Sequence, residues 1–190
     1  MKKIFIDLET SSLEAGPTKS YFGEILEIGI CIEDEKHYSE LAFRFIPMKM
    51  TKHDPKAIEI NNYHKNMKHF NNLLLWEETA EDLHELLNQK CLLIGHNVLF
   101  DINYLNYWFN WFGLKKLSFR YIDTMTLIHE HLEPVGLKSL SLDATRKFLK
   151  MSLTNSHTGL QDARDTREIY NRLLRCSKID RQLLRFGRTR

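Results

Sequence analysis

Residues 5–13 read FIDLETSSL, and the understanding of that stretch decides the fold. Together with Lys2, Lys3 and Ile4 it is short and apolar, the pattern of a strand covered on both faces. Two carboxylates, Asp7 and Glu9, interrupt it near its carboxyl end. Carboxylates are almost never left unpaired in such a place, so something must neutralise them. Standing two apart on a strand, they project from the same face. Held close, each raises the other's pKa unless a cation lies between them. A divalent cation, an arginine partner or an exposed strand end would each relieve the pair. If a cation does so, hard oxygen donors select Mg²⁺ or Mn²⁺ over zinc.

The pattern around this stretch changes along the chain. Strands are expected at residues 3–8, 25–33 and 39–46, with DEKH (34–37) as a hairpin turn between the last two. Alternation of helix and strand follows: a helix over 77–89 with Ala80, Leu83, Leu86 and Leu87 on one face, a strand over 91–96, and a helix over 101–112. Thr79 and Asp82 resemble a weak capping box for the first of these helices. A strand at 119–123 and helices near 124–131, 139–150 and 160–176 complete the pattern, with Asp123 read as a helix cap. Strands first and strand-helix units afterwards predict an α/β fold. It has a mixed five-stranded sheet, the first three strands antiparallel, flanked by helices. Ligands in such folds gather at the carboxyl ends of strands.

A chain of 190 residues with 43% hydrophobic content buries enough surface for one domain, expected over 1–176, with a tail at 177–190. Cys31, Cys91 and Cys176 are far apart and form no CxxC pair, so neither a disulfide framework nor a structural zinc site is indicated. No apolar run approaches the roughly 18 residues of a membrane span, and no signal peptide is recognisable. A cytoplasmic protein with no membrane partner is the expectation. The net charge of +2 is unevenly spread: residues 172–190 hold seven basic side chains against Asp180, a local charge of +6 that leaves −4 for the remainder. Such an arm fits either a polyanionic partner or a solvated helix end.

Two further acidic positions stand where the first pair could be completed. In GHNVLFDINYL (95–105), Asp101 falls at the start of a helix after the strand end at His96-Asn97. It reads either as a helix N-cap or as a ligand to the same ion. Tyr104 and Trp108 share its face, as core or as a stacking platform; Ile102, Leu105, Phe109 and Phe112 form a core stripe, and Asn103, Asn106 and Asn110 a polar one. In NSHTGLQDARDT (155–166), Ser156 or Thr158 caps a helix, which places Asp162 in its first turn and His157 in the loop before it. A histidine so placed suits a general base toward a metal-bound water, although a plain surface histidine has the same look. Asp165, one helical turn on, competes with Asp162 as ligand.

Taken together, IDLET (6–10), EILEIG (24–29), AIEINNYH (57–64), HNVLFD (96–101), IDT (122–124) and HTGLQD (157–162) resemble the DnaQ-like, histidine-containing DEDD family of 3′-5′ exonucleases. The resemblance runs from about residue 3 to residue 175 and is nearest to proofreading exonuclease subunits and their stand-alone relatives, in which SLDATRKFL (141–149) also has a counterpart. It implies a ribonuclease H-like fold and a hydrolase that releases nucleoside 5′-monophosphates from the 3′ ends of single-stranded DNA, RNA or short oligonucleotides. It further implies that Asp7, Glu9, Asp101 and Asp162 hold two Mg²⁺ or Mn²⁺ ions and that His157 deprotonates the attacking water. The residues expected at the substrate are Thr10, Leu13 as a wedge against the terminal base, Asn61, Asn97, Phe100 and Tyr104. Ser12 stands where the family often has Gly, and Asn61 where it often has His; both positions bear on substrate preference.

Two other classes remain open from sequence. A catalytically silent nucleic-acid-binding module would have lost a ligand or His157, and every one is present. A polymerase-associated adaptor would use the tail, where QLLRF (182–186) loosely resembles peptides that bind sliding clamps. Arg185 sits where those peptides are usually apolar, and an amphipathic helix explains the same residues.

Overall fold

A computed structural model describes residues 1–48, 52–61, 73–152 and 158–175. His157, Ser156 and the tail with its 182–186 segment lie outside the described residues. The strands are β1 (Lys2–Thr10), β2 (Gly16–Pro17), β3 (Phe22–Gly23), β4 (Ile25–Glu33), β5 (Tyr38–Arg44), β6 (Cys91–Gly95) and β7 (Arg120–Asp123). Among the described residues the helices are α1 (Pro55–Asn61), α2 (Trp76–Leu87), α3 (Val98–Trp111), α4 (Thr124–Leu132), α5 (Leu142–Phe148) and α6 (Gly159–Arg175), with a 3₁₀ turn at Glu133–Val135. The main sheet runs β5-β4-β1-β6-β7. β4 pairs antiparallel with both β5 and β1, whereas β6 pairs parallel with β1 and β7. This is the expected mixed five-stranded sheet, and β2 and β3 form a separate small hairpin.

Alternation along β1 sorts its side chains between two layers. Ile4, Ile6 and Leu8 join the core formed with α2 and α3, where Trp76, Leu83, Leu105, Trp108 and Phe109 are buried. Phe5 packs in the opposite layer with Cys31, Ile94 and α6 residues Ala163 and Tyr170. The two-residue period therefore carries Asp7 and Glu9 to the α6 side, the parity of Phe5. A third apolar cluster, Ile128, Leu132, Leu149, Ile169 and Leu173, ties α4 and α5 to α6.

Several boundaries differ from expectation for local reasons. α3 begins at Val98, three residues early, because Asn97 takes a left-handed conformation (φ 62°) that turns the chain directly from strand to helix; Asn tolerates that region better than most residues. Asp101 is therefore inside the first turn and is not the N-cap. The capping box at Thr79 and Asp82 does not form: α2 starts at Trp76, and the Thr79 hydroxyl donates back to the Leu75 carbonyl at 2.8 Å. The Asp34 carboxylate closes the β4–β5 turn by accepting from the Lys36 and His37 amides, and Asp123 caps α4 by accepting from Met125 N. No helix among the described residues is long and apolar enough to cross a membrane.

The approach of α6 to the sheet is closest at two glycines. A Cβ on Gly29 of β4 would lie 2.0 Å from the Gly159 carbonyl carbon, and one on Gly159 would lie 2.8 Å from Gly29 N and 3.0 Å from Asp7 O. Backbone meets backbone here, so a methyl group has no flexible neighbour to displace. Gly29→Ala is expected to destabilise the protein by at least about 1–3 kcal/mol, the range for overpacking, measured as a lowered urea midpoint with unchanged slope.

Candidate active site

Three elements deliver the carboxylates to one place. Asp7 and Glu9 stand on β1 opposite Gly29 and Glu27 of β4. The Gly29–Gly159 contact seats the first turn of α6 over them, and Asp162 lies in that turn. Asp7, Glu9 and Asp162 each bring a carboxylate oxygen within 4.8 Å of the others. Asp101 arrives from the first turn of α3; it is 3% exposed, and its Oδ1 accepts from the Leu8 amide at 3.0 Å.

The electrostatics follow from that convergence. Burial, then the neighbouring charges of Asp162, Glu9 and Asp101, push the Asp7 carboxyl well above its ordinary range. Glu9 is raised by burial and then by Asp162, Glu27 and Asp101. Asp101 is raised mainly by burial, against the Leu8 amide bond, which favours its ionised form. Clustered, partly desolvated carboxylates with hard oxygen donors are the chemistry of a Mg²⁺ or Mn²⁺ site, so the residues fit such ions.

Asp165, the competitor of Asp162 one turn on, is engaged elsewhere. Its Oδ2 accepts from Arg146 Nε at 2.6 Å and its Oδ1 from Gln161 Nε2 at 2.9 Å. Arg146 Nη2 also donates to Asp162 Oδ1 at 2.6 Å. Neither Arg146 nor Glu27 was expected at the site, although SLDATRKFL (141–149) and EILEIG (24–29) contain them. Glu27 interrupts the apolar run ILEIGICIE as Asp7 interrupts β1, and the same reasoning applies to it. It is 2% exposed, its carboxylate pairs with Arg44 Nε at 3.5 Å, and its carboxyl is raised chiefly by burial. Arg146 gave a weaker signal, a charge beside the buried Thr145 in a short helix.

The segment after β1 is held from several sides. Ser11 Oγ donates to the Phe22 carbonyl at 3.0 Å and accepts from Glu24 N at 2.8 Å, and Ser11 O accepts from Asp54 N at 2.8 Å. The Glu24 carboxylate in turn meets His53 Nε2 at 2.9 Å and accepts from Met48 N. Thr10 Oγ1 and the Tyr104 hydroxyl both donate to the Ser12 carbonyl, and Asn61 Nδ2 donates to Thr10 O at 3.0 Å. Tyr104 and Trp108 are thus core residues, and the stacking-platform reading of that pair is not realised: Tyr104 is 2% exposed. Thr10 and Asn61 are buried as well. Leu13, by contrast, emerges from this braced segment 79% exposed. Asn97 is exposed at the start of α3, its amide donating to Asp123 Oδ1 at 3.0 Å. Phe100 is half-buried against the Tyr104 ring at 4.9 Å.

The profile of the RNase T family, described as Exonuclease, matches residues 4–170. A curated relative, the PolC-type DNA polymerase III of Lacticaseibacillus paracasei, is 31% identical over 105 residues, which is 53% of this chain and 7% of that one. The chain thus spans a small fraction of that relative's length. Among solved structures, E. coli Exonuclease I with a dT13 oligonucleotide superposes with a TM-score of 0.72 at 17% identity, over 96% of this chain and 42% of that one. The zinc-bound form of the E. coli ExoI–ssDNA complex gives 0.73 at 17%, over 95% and 42%. At such identity these structures speak for the fold.

A carboxyl whose pKa is higher in the folded than in the unfolded chain holds its proton more tightly when folded, so stability falls as pH rises through the raised values. In EDTA the melting temperature is expected to fall as pH is raised from about 5 to about 8, above the ordinary carboxyl range. Asp7→Asn should raise the metal-free melting temperature and flatten that slope. A metal-free protein whose stability grows with pH relative to Asp7→Asn would contradict the assignment.

Proposed function

This chain belongs to the DnaQ-like exonuclease family, and from that premise we propose that it hydrolyses single-stranded nucleic acid from the 3′ end, releasing nucleoside 5′-monophosphates. The observation that carries the proposal is the convergence of Asp7, Glu9 and Asp162 oxygens within 4.8 Å, with Asp101 close enough for its charge to be felt at both β1 carboxylates. These four side chains would hold two Mg²⁺ or Mn²⁺ ions. Such ions, when bound, acidify a water and stabilise the leaving oxygen.

The chain's own residues supply the remaining work. His157, two residues ahead of α6 in the sequence, takes the proton of the attacking water. Leu13, pushed into solvent by the bonds that hold Ser11 and Ser12, wedges against the terminal base. Asn97 and Phe100 line the approach at the start of α3, while Thr10, Asn61 and Tyr104 act through the segment they brace. The likeness to part of a PolC-type polymerase favours a second reading, in which the domain works beside a polymerase. Co-elution with a DNA polymerase or sliding clamp on sizing columns would test it.

The test uses purified protein with 5′-labelled DNA and RNA single strands in Mg²⁺ and in EDTA. Ladders shortening from the 3′ end are expected in Mg²⁺ alone. Asp7→Ala should abolish them, and His157→Ala should slow them by about 10²–10⁴-fold. Binding without cleavage in Mg²⁺ or Mn²⁺ would replace the enzyme with a silent binding module.

A further inference from the structure

Arginine is almost never fully buried unless paired, and Arg146, in the middle of α5, is 0% exposed. Its donors are spent on three carboxylates. Nη1 donates to Asp143 at 2.9 Å, Nη2 to Asp162 Oδ1 at 2.6 Å and Nε to Asp165 Oδ2 at 2.6 Å. Gln161 holds the other oxygen of Asp165, so that carboxylate is clamped from both sides. The planar guanidinium is thereby fixed by a residue outside the cluster, and in turn fixes a residue inside it. Its charge also opposes the upward shift of Asp7 and Glu9, so it is felt at both β1 carboxylates.

A site built from converging carboxylates must survive before its ions arrive. Like charges at this distance repel, and a bound divalent cation would be the largest local charge once present. Until then a buried positive side chain touching Asp162 relieves the repulsion at Asp7 and Glu9 as well. We propose that Arg146 is the positioning residue and internal counter-ion of the cluster, fixing Asp162 through Oδ1 against Asp165 and supplying the positive charge that keeps the metal-free site folded. This rests on the reading of Asp7, Glu9, Asp101 and Asp162 as metal ligands. The two roles separate chemically, because lysine keeps the charge and loses the fork.

The experiment compares wild type, Arg146→Lys, Arg146→Met and the double variant Arg146→Met, Asp165→Asn, each melted in EDTA and in Mg²⁺. Mg²⁺ should raise the wild-type melting temperature. Arg146→Met should lose on the order of 10 °C in EDTA, the scale of breaking a buried ion pair in a chain of this size, and less in Mg²⁺. Arg146→Lys should keep more of the EDTA stability than Met does. It should need more Mg²⁺ for half-maximal cleavage of a labelled oligonucleotide, with the oligonucleotide KM unchanged. Should Arg146→Met fail to fold, the double variant carries the comparison, since it removes both members of the clamp together and leaves no orphaned Asp165 charge.

A loss of melting temperature equal in EDTA and Mg²⁺, in whichever variant folds, would make Arg146 ordinary packing and overturn the proposal. Mg²⁺ without effect on wild type would overturn the metal reading itself, and the proposal with it.

Discussion

Repulsion among four converging carboxylates is the constraint on which the rest of this structure depends. Asp7, Glu9, Asp101 and Asp162 come from three separate elements; burial and then the neighbouring carboxylates raise the carboxyls of Asp7 and Glu9, and burial raises that of Asp101. No packing gain explains such an arrangement, because apolar residues at these positions would be more stable. The cluster is tolerated because the surrounding fold is rigid enough to impose it, and it is useful because a divalent cation turns the repulsion into attraction.

Rigidity comes from backbone contact more than from side chains. The antiparallel register of β1 and β4 places Gly29 opposite Asp7, and Gly29 lets the α6 backbone descend onto the sheet at Gly159. That approach fixes the height of Asp162 above Asp7. On the other side of the site, Ser11, Glu24 and His53 form a chain of hydrogen bonds, and Thr10 and Tyr104 hold the Ser12 carbonyl; together they brace the turn after β1 and leave Leu13 in solvent. One edge of the site is thus built for charge and the other for an apolar contact, a combination suited to a phosphodiester and its base.

Much of this was legible in the sequence wherever the information is local. The two-residue spacing of Asp7 and Glu9 gave their common face, the Asp34 turn closed where DEKH predicted, and Asp123 capped α4. What the sequence hid was long-range or backbone-encoded. The left-handed Asn97 moved the start of α3 and turned Asp101 from an apparent cap into a residue buried against Leu8. Helical spacing alone leaves Asp162 and Asp165 both open; the fold brings Asp162 within 4.8 Å of Asp7 and Glu9 and holds Asp165 between Arg146 and Gln161. Tyr104 reads equally as core or as part of a stacking surface, because helical periodicity cannot show that its hydroxyl is held by the Ser12 carbonyl.

Crystals grown with Mn²⁺ and measured for anomalous scattering would test the account most directly. The expected result is anomalous density enclosed by Asp7, Glu9, Asp162 and Asp101, with Arg146 still bonded to Asp162 and Asp165. Absence of density at that cluster under saturating Mn²⁺, or manganese bound instead through Asp165 with Arg146 displaced, would contradict it.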